Sequence, residues 1–437
     1  MKSISKKTIK ILAVSIFLFF ISTRNGVSGE ASGIESFRLV GTEQIVEQEG
    51  DHILIYVPYE TDVTSLKTEI VLSENASIIP PSGLSVGFTN PRTYTVTAGD
   101  GSKRDFLVTV KRSQWRRVIE NGKSPFLKTD GHSLVVFQDK LWLLSGWLGQ
   151  YDNDQASYTS DGVRNYWTSQ VWCTADGVNW ESKGNAPWAG RHGFGCVVHD
   201  DKLWVIGGDQ HTDVWNTEDG VHWNKILDHV PWGERYFPYI VSFNGKIWVM
   251  GGVRIVFSAG NEMRDKYNDI WSTADGVNWT QEVEFAKWVP RGLVSGTAVL
   301  NDELYLYGGS VLGSFAFDDV WKTSDGTHWT KVLHHAPWPA RTWGSIASFD
   351  NQLWIMAGDY DMESRLLNDV WSSPDGATWT RQKGIFWEPR HATSVVGFNG
   401  QLWMVGGLIS RPADNWGDVA NDVWVMETDN SIGNHSK

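Results

Sequence analysis

Pro187-Trp188-Ala189-Gly190-Arg191 is the stretch that decides how this 437-residue chain is read. Its Trp-x-x-Arg core recurs as Trp232–Arg235, Trp288–Arg291, Trp338–Arg341 and Trp387–Arg390. Each copy is followed by an apolar run, a Gly-Gly or Ala-Gly, a segment like Asn-Asp-Val-Trp, and then Asp-Gly-x-x-Trp. One compound pattern repeated in order means structurally equivalent units.

The period of roughly 43 to 56 residues, with four strand-like segments per unit, predicts an all-β chain built around a β-propeller. In the unit after Arg191, residues 191–198 read as the innermost strand A and Leu203–Gly208 as strand B. Asp213–Thr217 reads as strand C, and strand D lies around Trp223. Asp219-Gly220 between C and D is a tight-turn signal, because Gly tolerates positive φ. The last unit stops at Trp424 on strand C, while Trp115 stands before the first strand A with no strand C ahead of it. Six blades are therefore predicted, the segment around Trp115 closing the ring by supplying the last strand D. Of the 26 Trp, only Trp147, Trp167, Trp343 and Trp416 lie outside repeat positions, so most are expected to pack blades together.

Ahead of the repeats, Lys2, Lys6, Lys7 and Lys10 form a basic segment before the apolar run Ile11–Ser22. Residues 1–29 read as a signal peptide, too short in its apolar part to span a membrane. No Cys follows to carry a lipid, so a periplasmic or secreted protein is expected. The formal charge is −13 and becomes −18 once residues 1–29, with five basic and no acidic side chains, are removed. Such a surface argues against nucleic acid and anionic membranes as partners. Cys173 and Cys196 fall on different strand types and are expected to be thiols. No metal-ligand spacing or cofactor motif is present. Residues 34–112 alternate in short β-branched runs such as Ile53–Val57 and Phe106–Val110, predicting a small antiparallel sandwich. Residues 113–428 hold the propeller, and 429–437 read as a disordered tail.

The segment Tyr94–Phe106 resembles the immunoglobulin-like modules that precede catalytic or binding domains in secreted Bacteroidota proteins. The Gly-Gly ending strand B and the aromatic on strand D resemble kelch-type propellers of the galactose-oxidase-like superfamily. The turn Thr174-Ala175-Asp176-Gly177-Val178-Asn179-Trp180 looks like a shortened sialidase Asp-box. These resemblances imply fold and glycan utilisation. A propeller by itself names no reaction.

Antiparallel order puts the D–A linkers, which carry Trp-x-x-Arg, on the same face as the B–C loops, whose lengths vary. Binding specificity tends to sit on such loops. Arg191, Arg235, Arg291, Arg341 and Arg390 share that face, with Phe126–Thr129 as a gap in the ring. They are either anchors for the linkers or a cationic site, with Asp209, Asp318, Asp319, Asp359 and Asp361 as acids to compensate them. Beside them stand His192, Tyr236, His391, His132, Tyr239, Trp343 and, in the shortest B–C loop, His211. Arg near His and Tyr suits removal of the proton α to a uronate carboxylate, because Arg neutralises the carboxylate while His or Tyr moves protons. The expected function is thus β-elimination on an acidic oligosaccharide or polysaccharide by a monomer. Arg191 and Arg235 would hold the carboxylate, and Tyr236, His192 and His211 would serve as acid and base. Arg291, Arg341, Arg390, His391, Trp343, Tyr239 and His132 would complete the substrate site. Alternatives are a non-catalytic glycan binder and a sialate mutarotase-like enzyme. A sialidase lacks an assignable Tyr–Glu pair, and a copper-radical oxidase needs a Cys–Tyr cross-link that the two Cys positions do not suit.

Overall fold

The computed structural model describes residues 33–149, 157–158, 164–209, 211–258, 261–292, 296–311, 315–360, 365–410 and 418–428. The expected signal peptide and tail lie outside them. The described residues are all-β, with no helix among them.

Residues 34–112 form a three-stranded and a five-stranded sheet. Phe37, Ile55, Tyr94, Val96, Phe106 and Val108 are buried between them. One pair departs from the antiparallel expectation: His52–Val57 runs parallel to Lys103–Arg112. The chain between them crosses to the other sheet through Leu66–Leu72 and returns, the long connection that parallel pairing requires.

Six four-stranded antiparallel sheets follow, each in the order A-B-C-D. In the first, strand A is Ser133–Phe137, in the second Gly195–His199 and in the third Tyr239–Phe243. In the fourth to sixth it is Gly296–Leu300, Ser345–Phe349 and Ser394–Phe398. The sixth sheet takes its strand D from the other end of the repeats: Trp115–Ile119 pairs with Asp418–Met426, Trp115 opposite Met426. Each strand A neighbours the strand A of the next sheet, and Ser394–Phe398 neighbours Ser133–Phe137, so the contacts run in a closed cycle.

The joint between sheets repeats as well. The Asp-Gly turn glycine of one sheet lies under the strand-B aromatic of the preceding one: Gly220 against Trp142, Gly276 against Trp204, Gly326 against Trp248. Gly177 of the first sheet meets Trp403 of the sixth in the same way. These glycines are needed twice over, because their φ of +73 to +83° is left-handed and a Cβ would enter the indole. Trp188 packs edge to face on Trp223 with centroids 4.2 Å apart, and Trp232 does so on Trp279 at 4.3 Å.

Strand A starts later than the repeat pattern suggested, at Gly195 rather than Arg191. The backbone turns left-handed two residues after four of the five linker arginines, at Gly193, Phe237, Trp343 and Ala392, and at Gly131 in the first repeat; the position after Arg291 lies outside the described residues. His192, Tyr236, Trp343 and His391 thus lie on bends above strand A rather than in it.

Candidate functional site

The five arginines take up one arrangement. Each guanidinium is buried and forms a two-pronged ion pair with the aspartate that opens strand C of its own sheet. Arg191 donates to Asp213 at 2.6 and 3.1 Å, Arg235 to Asp269 at 2.6 Å twice, and Arg291 to Asp319 at 2.6 and 3.1 Å. Arg341 donates to Asp369 at 2.7 and 2.8 Å, and Arg390 to Asp422 at 2.8 and 2.9 Å. A carbonyl ending strand B takes a further N–H, as Gly207 does from Arg191 at 2.8 Å. The strand-C indole two residues beyond each aspartate donates to the same carboxylate, Trp371 to Asp369 at 2.7 Å. Burial raises the pKa of Asp213, Asp319 and Asp369, but the arginine beside each, together with the strand-C indole, more than reverses this and the net shift is downward.

This differs from a ring of cations converging on the channel. Of the acids expected to compensate them, only Asp319 does so; Asp361 lies outside the described residues. The signal for the true partners was the recurrent Asp-x-Trp that opens strand C. In the first repeat, which has Thr129 for arginine, Gln170 stands where the others have aspartate. Gln170 accepts from the Leu127 amide at 3.1 Å and the Trp172 indole at 3.0 Å, so the pair is replaced without a stranded charge.

The bends that follow the arginines meet at the mouth of the central channel, a cavity of about 260 Å³ walled by strands A, with Phe194, Tyr239 and Thr393 among its lining. Left-handed residues of successive repeats are joined by backbone bonds. Ala392 N–H donates to Trp343 O at 2.9 Å, Gly131 to Ala392 at 3.0 Å, and Gly193 to Gly131 at 3.1 Å. The residue directly after the linker arginine is pinned to the base of a B–C loop: Tyr236 and Val253 exchange two backbone bonds, as do Thr342 and Asp359, and His391 and Leu408. In the second repeat, where that loop is shortest, the Asp209 carboxylate instead accepts from the His192 amide at 2.8 Å.

On this frame stand linked rings. His192 and Phe237 meet edge to face at 5.0 Å, Phe237 and Trp343 at 4.6 Å, and Trp343 lies 5.4 Å from His391 with the planes 30° apart. The Trp167 indole nitrogen is 3.2 Å from His192 Nδ1, and Tyr236 is 6.4 Å from Phe237. Trp343, His192, Trp167 and Tyr236 are half-buried, while Phe237 and His391 are buried.

Carboxylates alternate with the histidines. His192 Nδ1 is 2.6 Å from Asp209. His391 Nδ1 is 3.0 Å from Asp359, and its Nε2 is 3.5 Å from Asp130. Burial works against the charge on both rings. The Asp209 and Asp130 carboxylates overcome it at His192, and hydrogen bonding to Asp130 and Asp359 overcomes it at His391, so both pKa values rise. Asp130 was absent from the sequence expectations, although it occupies the same rung, one residue past the arginine position, as His192, Tyr236 and His391.

The other expected residues lie apart from this cluster. His132 is buried between Thr129 Oγ1 at 3.2 Å and the Val405 carbonyl at 3.1 Å. Burial lowers its pKa to about 4. The Tyr239 hydroxyl donates to the Gly292 carbonyl at 3.2 Å, and burial raises its pKa. His211 lines a separate recess with Thr212, Lys225, Asp228 and His229, its pKa lowered by burial and then by Arg191. Among the described residues no group of three or more His, Cys, Asp or Glu is arranged to hold a metal ion.

Residues 34–110 match the model of a family described as "SGBP, N-terminal". Beta-scruin of Limulus polyphemus is 25% identical over 224 residues, which is 48% of this chain. The match spans only 22% of beta-scruin's own length. The solved structure of YjhT aligns with a TM-score of 0.52 at 16% identity, covering 71% of this chain and 97% of its own, a likeness of fold.

Proposed function

We propose that this chain is an exported glycan-binding protein: a six-bladed, kelch-like β-propeller over residues 113–428 that holds a saccharide across its loop-side mouth. Residues 34–112 are its β-sandwich module, and residues 1–29 direct it to the periplasm or the cell exterior. The family that residues 34–110 match is one of glycan-binding proteins of Bacteroidota, which supports the reading.

The observation that carries it is the Phe237–Trp343 pair at the mouth. Both residues hold a left-handed backbone, with φ of 51 and 54°, a conformation costing about 1 kcal/mol or more in non-glycine residues. The bend is shared with Gly131, Gly193 and Ala392 of other repeats, and in these two repeats it carries aromatic rings. Aromatic faces take the apolar C–H face of a pyranose, while neighbouring carboxylates and imidazoles serve its hydroxyls. Phe315, 75% exposed, and Tyr360, 39% exposed, lie on B–C loops of the same face.

Elimination on a uronyl residue is a poorer fit, because the arginines it would use are committed to aspartates. Calorimetric titration with an oligosaccharide panel tests the proposal. A saccharide is expected to bind, with at least tenfold loss in Trp343→Ala. Equal affinity in that variant, or no binding across the panel, sinks it. A second reading has the His192–Asp209 pair as acid and base on the bound sugar, favoured by their 2.6 Å separation. Mass spectrometry and anomeric NMR of the incubated ligand decide between binding alone and turnover.

A further inference from the structure

The B–C loops around the mouth differ in length and form. In the third repeat Val253–Ser258 and Asn261–Lys266 pair throughout, from Val253 opposite Lys266 to Ser258 opposite Asn261. At about 3.3 Å per residue this ribbon extends about 17 Å from the rim, and no other described strand packs along it. In the sixth repeat strands B and C run on past the sheet, with Leu408 opposite Val419 and Ser410 opposite Asp418. The fourth and fifth repeats carry ribbons of only two residues a side, Ser310–Val311 with Phe315–Ala316 and Asp359–Tyr360 with Arg365–Leu366. In the second, His211 N–H turns back onto the Gly208 carbonyl at 2.8 Å and strand C begins at Val214, leaving no ribbon among the described residues. The first repeat's loop, between the sixth and the second, lies mostly outside them.

The repeats close in a cycle of six, so the third faces the sixth and the second faces the fifth. The two longer described ribbons therefore rise on opposite sides of the mouth. The low sides are the second repeat and, across from it, the fourth and fifth. The aromatic line follows that low axis. Phe237 leans from the third repeat toward the second, where its ring fills the space that a Cβ on Gly193 would need. His192 of the second repeat meets Phe237 on one side, and Trp343 of the fifth meets it on the other. Phe237 also lines the channel cavity below, so the contacting pair floors the mouth above the channel. Tyr360 is exposed on the short ribbon of the fifth repeat, at the low side.

We propose that the mouth is a groove rather than a socket: it takes a stretch from within a glycan chain, laid over Phe237 and Trp343 from the second repeat to the fifth, past Tyr360, and needs no chain end. The inference rests on the glycan-binding reading and specifies which part of the glycan is held. A socket for a chain end needs a wall across its path or a hole beneath it. Here two walls flank the aromatic line, the floor is formed by rings in contact, and the line leaves the mouth where the loops are shortest.

The test titrates the full chain with gluco-, manno-, xylo-, galacto- and galacturono-oligosaccharides from disaccharide to octaose. In a series that binds, affinity is expected to rise at least tenfold from disaccharide to hexaose and then level off. Borohydride reduction, which opens the end ring of the hexaose, should leave its affinity within twofold. The parent linear polysaccharide should carry more than two copies of the protein per glycan chain in sedimentation velocity, since such a chain has only two ends. Tyr360→Ala, confirmed folded by circular dichroism, is expected to weaken hexaose binding at least threefold. Equal affinity at every length, loss on reduction, or saturation at two copies or fewer per glycan chain overturns the proposal, as does an unchanged hexaose affinity in the folded variant. Each of those results leaves glycan binding standing, because a saccharide is still bound. Silence from every series sinks the glycan reading and this inference with it.

Discussion

Arg341 and Asp369 face each other through two parallel hydrogen bonds of 2.7 and 2.8 Å, with the guanidinium wholly excluded from solvent. The pair ties the linker entering a sheet to the strand C that leaves its B–C loop, and four other repeats hold the same clamp. In the first repeat Thr129 and Gln170 stand in the two positions, so the partners change together.

That substitution pattern sets the first prediction. Arg341→Thr strands a buried carboxylate and is expected to cost about 3–5 kcal/mol. Adding Asp369→Gln copies the first repeat's neutral solution and should recover a large part of that loss. Denaturant unfolding of the single and double variants checks it. A double variant no more stable than the single would show that the first repeat is stabilised by something else.

The inter-sheet joint predicts a contrast between glycines of similar backbone. Gly326 has φ +83° and lies against the Trp248 indole, while Gly245 has φ +68° and open space around its Cβ direction. Gly326→Ala should destabilise by about 3 kcal/mol, combining strain with overpacking, and Gly245→Ala by about 1 kcal/mol. Comparable losses at the two sites would remove the joint from the account of stability.

Stability should pass through a maximum in the weakly acidic to neutral range. His192 and His391 have raised pKa values in the folded chain. Their contribution is complete below the unfolded value of about 6.5 and is lost as pH rises through the folded values. His132, lowered to about 4, acts in the opposite sense: folding excludes its proton, so stability falls as pH drops from about 6.5 toward 4. In a series of melting temperatures, His391→Gln should flatten the alkaline limb and leave the acid limb in place. An alkaline limb as steep as the wild type's would contradict the assignment.

Both cysteines should resist alkylation in the native state. Cys173 is buried in the wall between the first and second sheets, and burial raises the pKa of both thiols. A maleimide added at pH 7.5 is expected to label neither until denaturant is present, as intact mass would show. Cys196 is half-buried and lines the channel cavity, so rapid labelling of the folded chain would mean that its thiol is reached from the channel.

The sequence by itself determined the repeat, its strand order, and the placing of the linkers and B–C loops on one face. All of these follow from periodic apolar runs and from turn residues acting over a few positions. Local pattern also held the information that the arginines are clamps, since the aspartate opening strand C and its Thr129/Gln170 exception are visible in the letters. Pairing them, however, meant matching positions 22 to 34 residues apart, a separation that only the folded sheet closes. The mouth itself was decided by tertiary structure alone. Asp209, His192, Asp130, His391 and Asp359 come from four repeats spread along the chain, and no short-range propensity relates them. They meet because the strands A run in a cycle and the linkers turn inward through left-handed residues. That turn also moved the Trp-x-x-Arg arginine into the body of its sheet and left the next two residues at the channel mouth.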